Sequence, residues 1–210
     1  MQWLGPHTAM LRQSKALAYE APFLYLLFGT ERAVLRDTGA TANPGTFPLR
    51  TTIDALIQAW LAEHSHALYP LLVAHTHAHA DHVAAEPQFA DRPHTTVVGR
   101  DLNAVRSVFH IDDCPTGQGV LALGERTLQI RPIPGHHRAS VAVYDPWSGM
   151  LLTGDTLYPG RLFVDDYAAF VTSLARLGAF AQARPVSVVL GCHVEMTATP
   201  GWEYALGAIC

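Results

Sequence analysis

The chain has 210 residues, 49% of them hydrophobic and 15% charged, and 14 Lys+Arg against 18 Asp+Glu give a formal net charge of −4. A chain of this size can bury roughly 70% of its unfolded surface, so it needs neither a disulfide nor a metal merely to fold. The composition excludes bulk disorder, no apolar run reaches the ~18 residues of a membrane span, and a surface of this sign does not attract nucleic-acid backbones.

The opening segment, MQWLGPHTAMLRQSKALAYE, has no basic region followed by an apolar core, so no secretory leader is expected. Cys114, Cys192 and Cys210 form no CxxC pair and read as free thiols in a reducing compartment, here the cytoplasm. FLYLLF (23–28) and AVLRDT (33–38) read as neighbouring strands across Gly29-Thr30. Thr51 or Thr52 is the expected cap of a helix whose apolar face carries Ile53, Leu56, Ile57, Trp60, Leu61 and His64. LLVA (71–74) reads as a short buried strand.

TTVVG (95–99) reads as another strand, and Asp101 as the cap of a helix carrying Leu102, Val105 and Val108. LQIRPIP (128–134), SVAVY (140–144) and MLLTG (150–154) read as three more strands. Tyr167, Phe170, Val171, Leu174 and Leu177 repeat at helical spacing behind the acidic pair Asp165-Asp166, which suits a helix N-terminus. VSVVLG (186–191) is the last expected strand. The alternation predicts a layered α/β class in a single domain over 1–210, with strand order left open.

The chemistry concentrates in residues 75–82, His-Thr-His-Ala-His-Ala-Asp-His. They contain an H-x-H-x-D-H pattern made of His77, His79, Asp81 and His82. With 12 histidines in the chain, a chance match is rare. Just past a strand end, alternate residues point the same way, so His77 and His79 can share one metal. Asp81 and His82 begin the next helix and can turn toward a second.

This pattern resembles the metallo-β-lactamase superfamily, and further motifs follow in the family's order. PGHHRAS (134–140) is similar to its P-G-H-T-x-G-S segment, LLTGDT (151–156) to its strand ending in Gly-Asp, and VLGCHVE (189–195) to its final strand ending in histidine. LRDTGA (35–40) resembles its early Asp-Thr-Gly loop, with Asp37 supporting the site from behind. His137-Arg138-Ala139 replaces the family's usual Thr-Pro-Gly, which changes a loop and leaves the ligand count intact. The resemblance implies an αβ/βα four-layer sandwich with two metal ions. The first would be held by His77, His79, His136 and Asp155, the second by Asp81, His82, His193 and Asp155. Nitrogen-rich ligation with two carboxylates suits Zn²⁺, with Mn or Fe as alternatives. Two dications, two carboxylates and a bridging hydroxide leave a charge of about +1, suited to an oxyanion forming on a carbonyl. The resemblance makes that hydroxide the nucleophile and Asp81 the acceptor of its proton.

Other residues receive plainer roles. His75 reads as packing behind the ligands, His137 as a loop residue, and His7, His64, His66, His94 and His110 as surface or cap residues. Cys192 reads as a buried structural thiol, and Glu86 and Glu195 as surface charges. In the family's lactone-cleaving branch, a tyrosine three residues past the bridging aspartate donates a hydrogen bond to the substrate carbonyl. That offset falls on Tyr158, while Arg161 in the same loop could meet an anionic substrate group.

Fold alone does not name the substrate. The family's β-lactamases usually lack the bridging aspartate, its sulfur dioxygenases use one metal, and its nucleases need a further domain and a basic surface. Its glutathione-thioester hydrolases carry a further C-terminal helical region not found after His193. The expectation is therefore a dinuclear metallohydrolase acting on a small-molecule ester, lactone or thioester, with a lactonase or esterase favoured. The alternatives are a glyoxalase II-like thioester hydrolase, a β-lactamase-like amide hydrolase, or a metal-binding module without catalysis. The expected partner is a small-molecule substrate, with neither nucleic acid nor membrane, and the oligomeric state stays open.

Overall fold

The computed structural model describes residues 1–205 and 208, so Cys210 lies outside the described residues. The chain divides into two compact units. The first comprises Met1–His75, His79–Val98 and Leu123–Glu125; the second comprises Thr76–Ala78, Gly99–Ala122 and the chain from Arg126 onward.

The first unit is built on a six-stranded sheet: β1 (Gln2–Trp3), β2 (Thr8–Arg12), β3 (Phe23–Phe28), β4 (Ala33–Arg36), β5 (Leu71–Ala74) and β6 (Thr95–Val97), in sequence order. Pairing is antiparallel from β1 to β4 and parallel from β4 through β6. All four residues of β5 are buried, as an unbroken apolar run with parallel neighbours on both sides requires. Helix α1 (Leu49–Glu63) buries Leu49, Ile53, Leu56, Ile57 and Trp60 in the core that holds Leu24, Leu26, Phe28, Leu35 and Val73.

Two expectations for α1 are corrected. It starts before Thr51 and Thr52, with Pro48 at the cap position and no side-chain capping bond. Thr52 instead lies inside the first turn, where its hydroxyl donates back to the Pro48 carbonyl at 3.0 Å, a bond that lets threonine sit in a helix. His64 is the C-cap, beyond the helical stripe, and its ring stacks on Trp60 with centroids 3.6 Å apart.

The second unit carries a five-stranded sheet of β7 (Gly119–Ala122), β8 (Thr127–Pro132), β9 (Val141–Asp145), β10 (Met150–Gly154) and β11 (Val188–Gly191), in the order β11-β10-β9-β8-β7. Strands β7 to β10 form an antiparallel meander, and β11 joins β10 in parallel. A parallel neighbour needs a long crossover, supplied by helix α4 (Tyr167–Gln182). The other helix of the unit, α3 (Leu102–Phe109), is capped as expected: the Asp101 carboxylate accepts from the backbone N–H of Asn103 and Ala104. Asp166 caps α4 through the Ala169 N–H at 3.0 Å.

The buried face of α4 is rotated from the predicted one. Phe170, Ser173, Leu177 and Phe180 are buried, whereas Tyr167 and Val171 are exposed. Ser173 tolerates its apolar position because its hydroxyl donates to the Pro134 carbonyl at 2.7 Å. Strand β11 is shorter than predicted, and its two valines are exposed. No helix among the described residues is long and apolar enough to cross a membrane.

Candidate metal centre

In the second unit, four predicted ligands lie together. His136 lies in the turn between β8 and β9, Asp155 directly follows β10, and His193 stands two residues past β11. The sheet order puts these three positions at one end of the sheet. Thr76 joins the same end, its carbonyl accepting from the Val141 N–H at 3.1 Å, and so brings His77 with it. All four side chains are buried, at 9% exposure or less. Asp155 Oδ2 lies 3.3 Å from His193 Nε2, 3.6 Å from His136 Nε2 and 3.8 Å from His77 Nε2. The Nε2 atoms of His77 and His136 are 3.0 Å apart, and their rings meet edge to face.

Hydrogen bonds on the far side of two rings fix which nitrogen faces inward. His136 Nδ1–H donates to the Phe163 carbonyl at 2.8 Å, and His77 Nδ1 pairs with the Thr76 hydroxyl at 3.0 Å. Each ring therefore turns Nε2 toward Asp155. Four donors on a tetrahedral zinc ion, with bonds of about 2.0–2.1 Å, stand roughly 3.3 Å from one another. His77 Nε2, His136 Nε2 and Asp155 Oδ2, three donors expected on one ion, stand 3.0, 3.6 and 3.8 Å from one another and bracket that value, so they fit a divalent metal.

In the first unit, His79 is the N-cap residue of helix α2 (Ala80–Val83), which carries Asp81 and His82. His82 is fully buried, with Nε2 3.1 Å from Asp81 Oδ2 and Nδ1 3.1 Å from Asp37 Oδ2. Asp37 thus stands behind the ring, in the arrangement by which a carboxylate orients a ligating histidine. Its backbone is left-handed at φ 67°, and its N–H donates to the Ala74 carbonyl at the end of β5. Thr38 holds the same corner, its N–H and hydroxyl both reaching the His82 carbonyl.

Burial alone would raise the Asp37 carboxyl, but His82 against it, with Arg36 and His75 nearby, holds it well below its usual value of 3.8. A carboxyl lowered in the folded state stabilises the fold above its unfolded value, and this contribution is lost as pH falls. Removing it by Asp37→Asn is expected to flatten the acid limb of the metal-free protein's stability below about pH 4. Urea midpoints measured across that range, if they fall as steeply in the variant, would show that other groups govern the limb.

Glu86 is corrected from a surface charge. Its side chain is largely buried, and Oε2 lies 3.6 Å from Nδ1 of His75. His75 Nε2 in turn lies 3.4 Å from the Thr38 hydroxyl. His75 is therefore a buried packing residue, as expected, joined to a carboxylate that periodicity does not reveal, at the start of the 3₁₀ turn Glu86–Phe89. His137 is a loop residue whose Nδ1 accepts from the Ala139 N–H at 3.1 Å.

Tyr158 and Arg161 have partners within their own neighbourhood. The Tyr158 hydroxyl donates to the Arg161 carbonyl, and its ring lies edge-on to His193 at 5.4 Å. Arg161 pairs with Glu203 at 2.8 Å, and its N–H donates to Glu195.

The family model of the metallo-beta-lactamase superfamily matches residues 21–193. A hydroxyacylglutathione hydrolase of Anaeromyxobacter dehalogenans (strain 2CP-C) is 37% identical over 94 residues, 45% of this chain and 35% of that protein. One from Synechococcus sp. (strain JA-3-3Ab) is 32% identical over 168 residues, 78% of this chain and 61% of that protein. The chain thus spans only part of the length of these relatives. Among solved structures, a metallo-beta-lactamase from Pontibacter korlensis is 18% identical with a TM-score of 0.63, covering 98% of this chain and 94% of that one. That likeness shows the α/β fold implied by the sequence motifs. With the family match extending over most of its length, the chain belongs to the metallo-beta-lactamase superfamily.

Proposed function

We propose that the chain is a hydrolase of small-molecule thioesters that uses two divalent metal ions. The reading rests on one observation: its curated relatives at 30–37% identity are named hydroxyacylglutathione hydrolases. The lactonase or esterase reading favoured by the sequence rests in particular on Tyr158, whose hydroxyl is engaged with Arg161.

On this reading His77, His79, His136 and Asp155 hold one ion, and Asp81, His82, His193 and Asp155 hold the other. Zinc is the metal best suited to the donor set, and the cytoplasm is the compartment. Bound there, the ions would make a water acidic enough to ionise near neutral pH and would stabilise negative charge on the thioester carbonyl. The chain's residues arrange that chemistry. Asp155 offers one carboxylate to three imidazoles. Asp37 and the Phe163 carbonyl fix the rings of His82 and His136. Asp81 is the carboxylate that takes the proton from the attacking water.

Elemental analysis of zinc-replete protein is expected to give two ions per chain, and one ion at saturation would sink the dinuclear reading. A panel of acyl thioesters, lactones and aryl esters tests the substrate class. The expected result is a kcat/KM on the best thioester at least 10-fold above the best lactone or ester; the reverse order would replace the thioester reading. On the best substrate, kcat/KM is expected to rise with pH through an apparent pKa of about 6–8. Asp81→Asn should lower kcat far more than it raises KM. A rate flat from about pH 5 to 9 would count against an ionising water as nucleophile.

A further inference from the structure

We infer that the loop over residues 156–166 presents His136 and His193 to the two proposed metal ions, and that Tyr158 is a positioning residue acting through His193. The inference rests on the proposed roles of those two histidines as ligands. The loop leaves β10 directly after Asp155, so one continuous stretch begins at the shared carboxylate and then meets both rings.

At its near end the loop is fastened to the segment around His193. The Pro159 carbonyl accepts from the N–H groups of Glu195 and Met196 at 2.9 and 3.0 Å. Glu195 returns the contact by accepting from the Arg161 N–H at 2.7 Å. Tyr158 lies inside this closed loop, its hydroxyl bound to the Arg161 carbonyl and its ring against His193. The fit leaves no slack: a Cβ added at Gly191, two residues before His193, would stand 2.4 Å from Tyr158 Cβ. One added at Gly160 would stand 2.5 Å from the ring.

At its far end the loop is fastened to the segment around His136. The Gly135 carbonyl accepts from both Asp165 and Asp166 N–H at 2.9 Å, and the Phe163 carbonyl accepts from His136 Nδ1–H. Gly135 adopts φ 141°, and a Cβ there would meet the Phe170 backbone 2.4 Å away. Phe163 works through its carbonyl, since its side chain is exposed. The Tyr158 ring, packed inside the loop against His193, therefore keeps the loop and that histidine in place, and its hydroxyl, turned to the Arg161 carbonyl, has a role distinct from donating to substrate.

The test uses Zn²⁺ titrated against a chromophoric chelator, and the absorption spectrum of the Co²⁺-loaded protein. Tyr158→Ala is expected to weaken the zinc site that includes His193 about 10–100-fold and to shift the cobalt bands. Tyr158→Phe, which keeps the ring, should restore both the bands and most of the affinity. A kcat that falls tenfold or more in Tyr158→Phe, with zinc affinity and cobalt bands as in wild type, would overturn the inference and make the phenol a substrate donor. Tyr158→Ala with wild-type affinity and bands would overturn it equally. Should Tyr158→Ala fail to fold, ¹⁵N-histidine spectra of the zinc-loaded wild type decide the far end of the loop. A slowly exchanging His136 Nδ1 proton is expected, and a rapidly exchanging one would refute the clamp. Full zinc binding by His136→Ala and His193→Ala would instead show that the ligand assignment beneath the inference fails.

Discussion

Asp155→Ala is expected to lower kcat/KM on the best substrate by about 10³-fold or more, the largest loss of any single substitution in the site. Three imidazoles face this one carboxylate, at 3.3, 3.6 and 3.8 Å. It is buried, so no solvent-exposed group substitutes for it. In the proposed centre both ions share it, and its loss weakens both sites together. Charge stabilisation by a bound metal contributes several kcal/mol to a transition state, and about 4 kcal/mol corresponds to 10³-fold in rate. The expected accompaniment is a zinc content below two per chain at concentrations that saturate the wild type. A variant that keeps two ions and more than a tenth of the wild-type rate would show that Asp155 is not the shared ligand.

The largest stability effect is expected far from any ligand, at Arg126 and Asp145. Both are essentially fully buried, and two guanidinium nitrogens reach the two carboxylate oxygens, the shorter contact being 2.7 Å. The carboxylate also accepts from the Trp147 N–H and the Ser148 hydroxyl, and the guanidinium stands over the Trp147 ring. Removing one member of such a pair leaves its partner charged and dry, at a cost of about 3–5 kcal/mol. Asp145→Ala is therefore expected to lower Tm by roughly 10 °C, whereas joint replacement by apolar residues of similar volume should cost much less. A loss below about 1 kcal/mol for Asp145→Ala would mean that water reaches Arg126 on relaxation.

The sequence brought out the side chains that the fold gathers at one sheet end better than the elements around them. His77, His136, Asp155 and His193 stood out because the residue types a metal can use are few, so a short motif of them is informative. Uniformly apolar strands such as β3 and β5 were legible for a related reason: burial on both faces leaves an unbroken apolar run. Strands β1 and β7 were not, because a two-residue strand has no period and GVLA alternates over only four residues. The face of α4 was misplaced because Ser173, polar by type, is buried through a bond to Pro134 that no periodicity encodes. The Arg126–Asp145 pair and the Glu86–His75 contact were hidden likewise. Charged residues read as surface until their partners are known, and these partners are set by tertiary structure.

Strand β11 is an edge strand, paired only with β10 among the described strands, and its outward valines are exposed at 41% and 44%. It is also the strand that delivers His193. Fraying starts at such edges, so the ligand and the edge detach together. A metal held by His193, as proposed, would therefore fasten the rim of the sheet. Depleted of metal, the chain would more often bare the backbone edge of β10, with Leu151 and Leu152 along it, a template for another chain's strand. Loss of the ion would then appear in storage as sticking and precipitation, well before the fold itself melts.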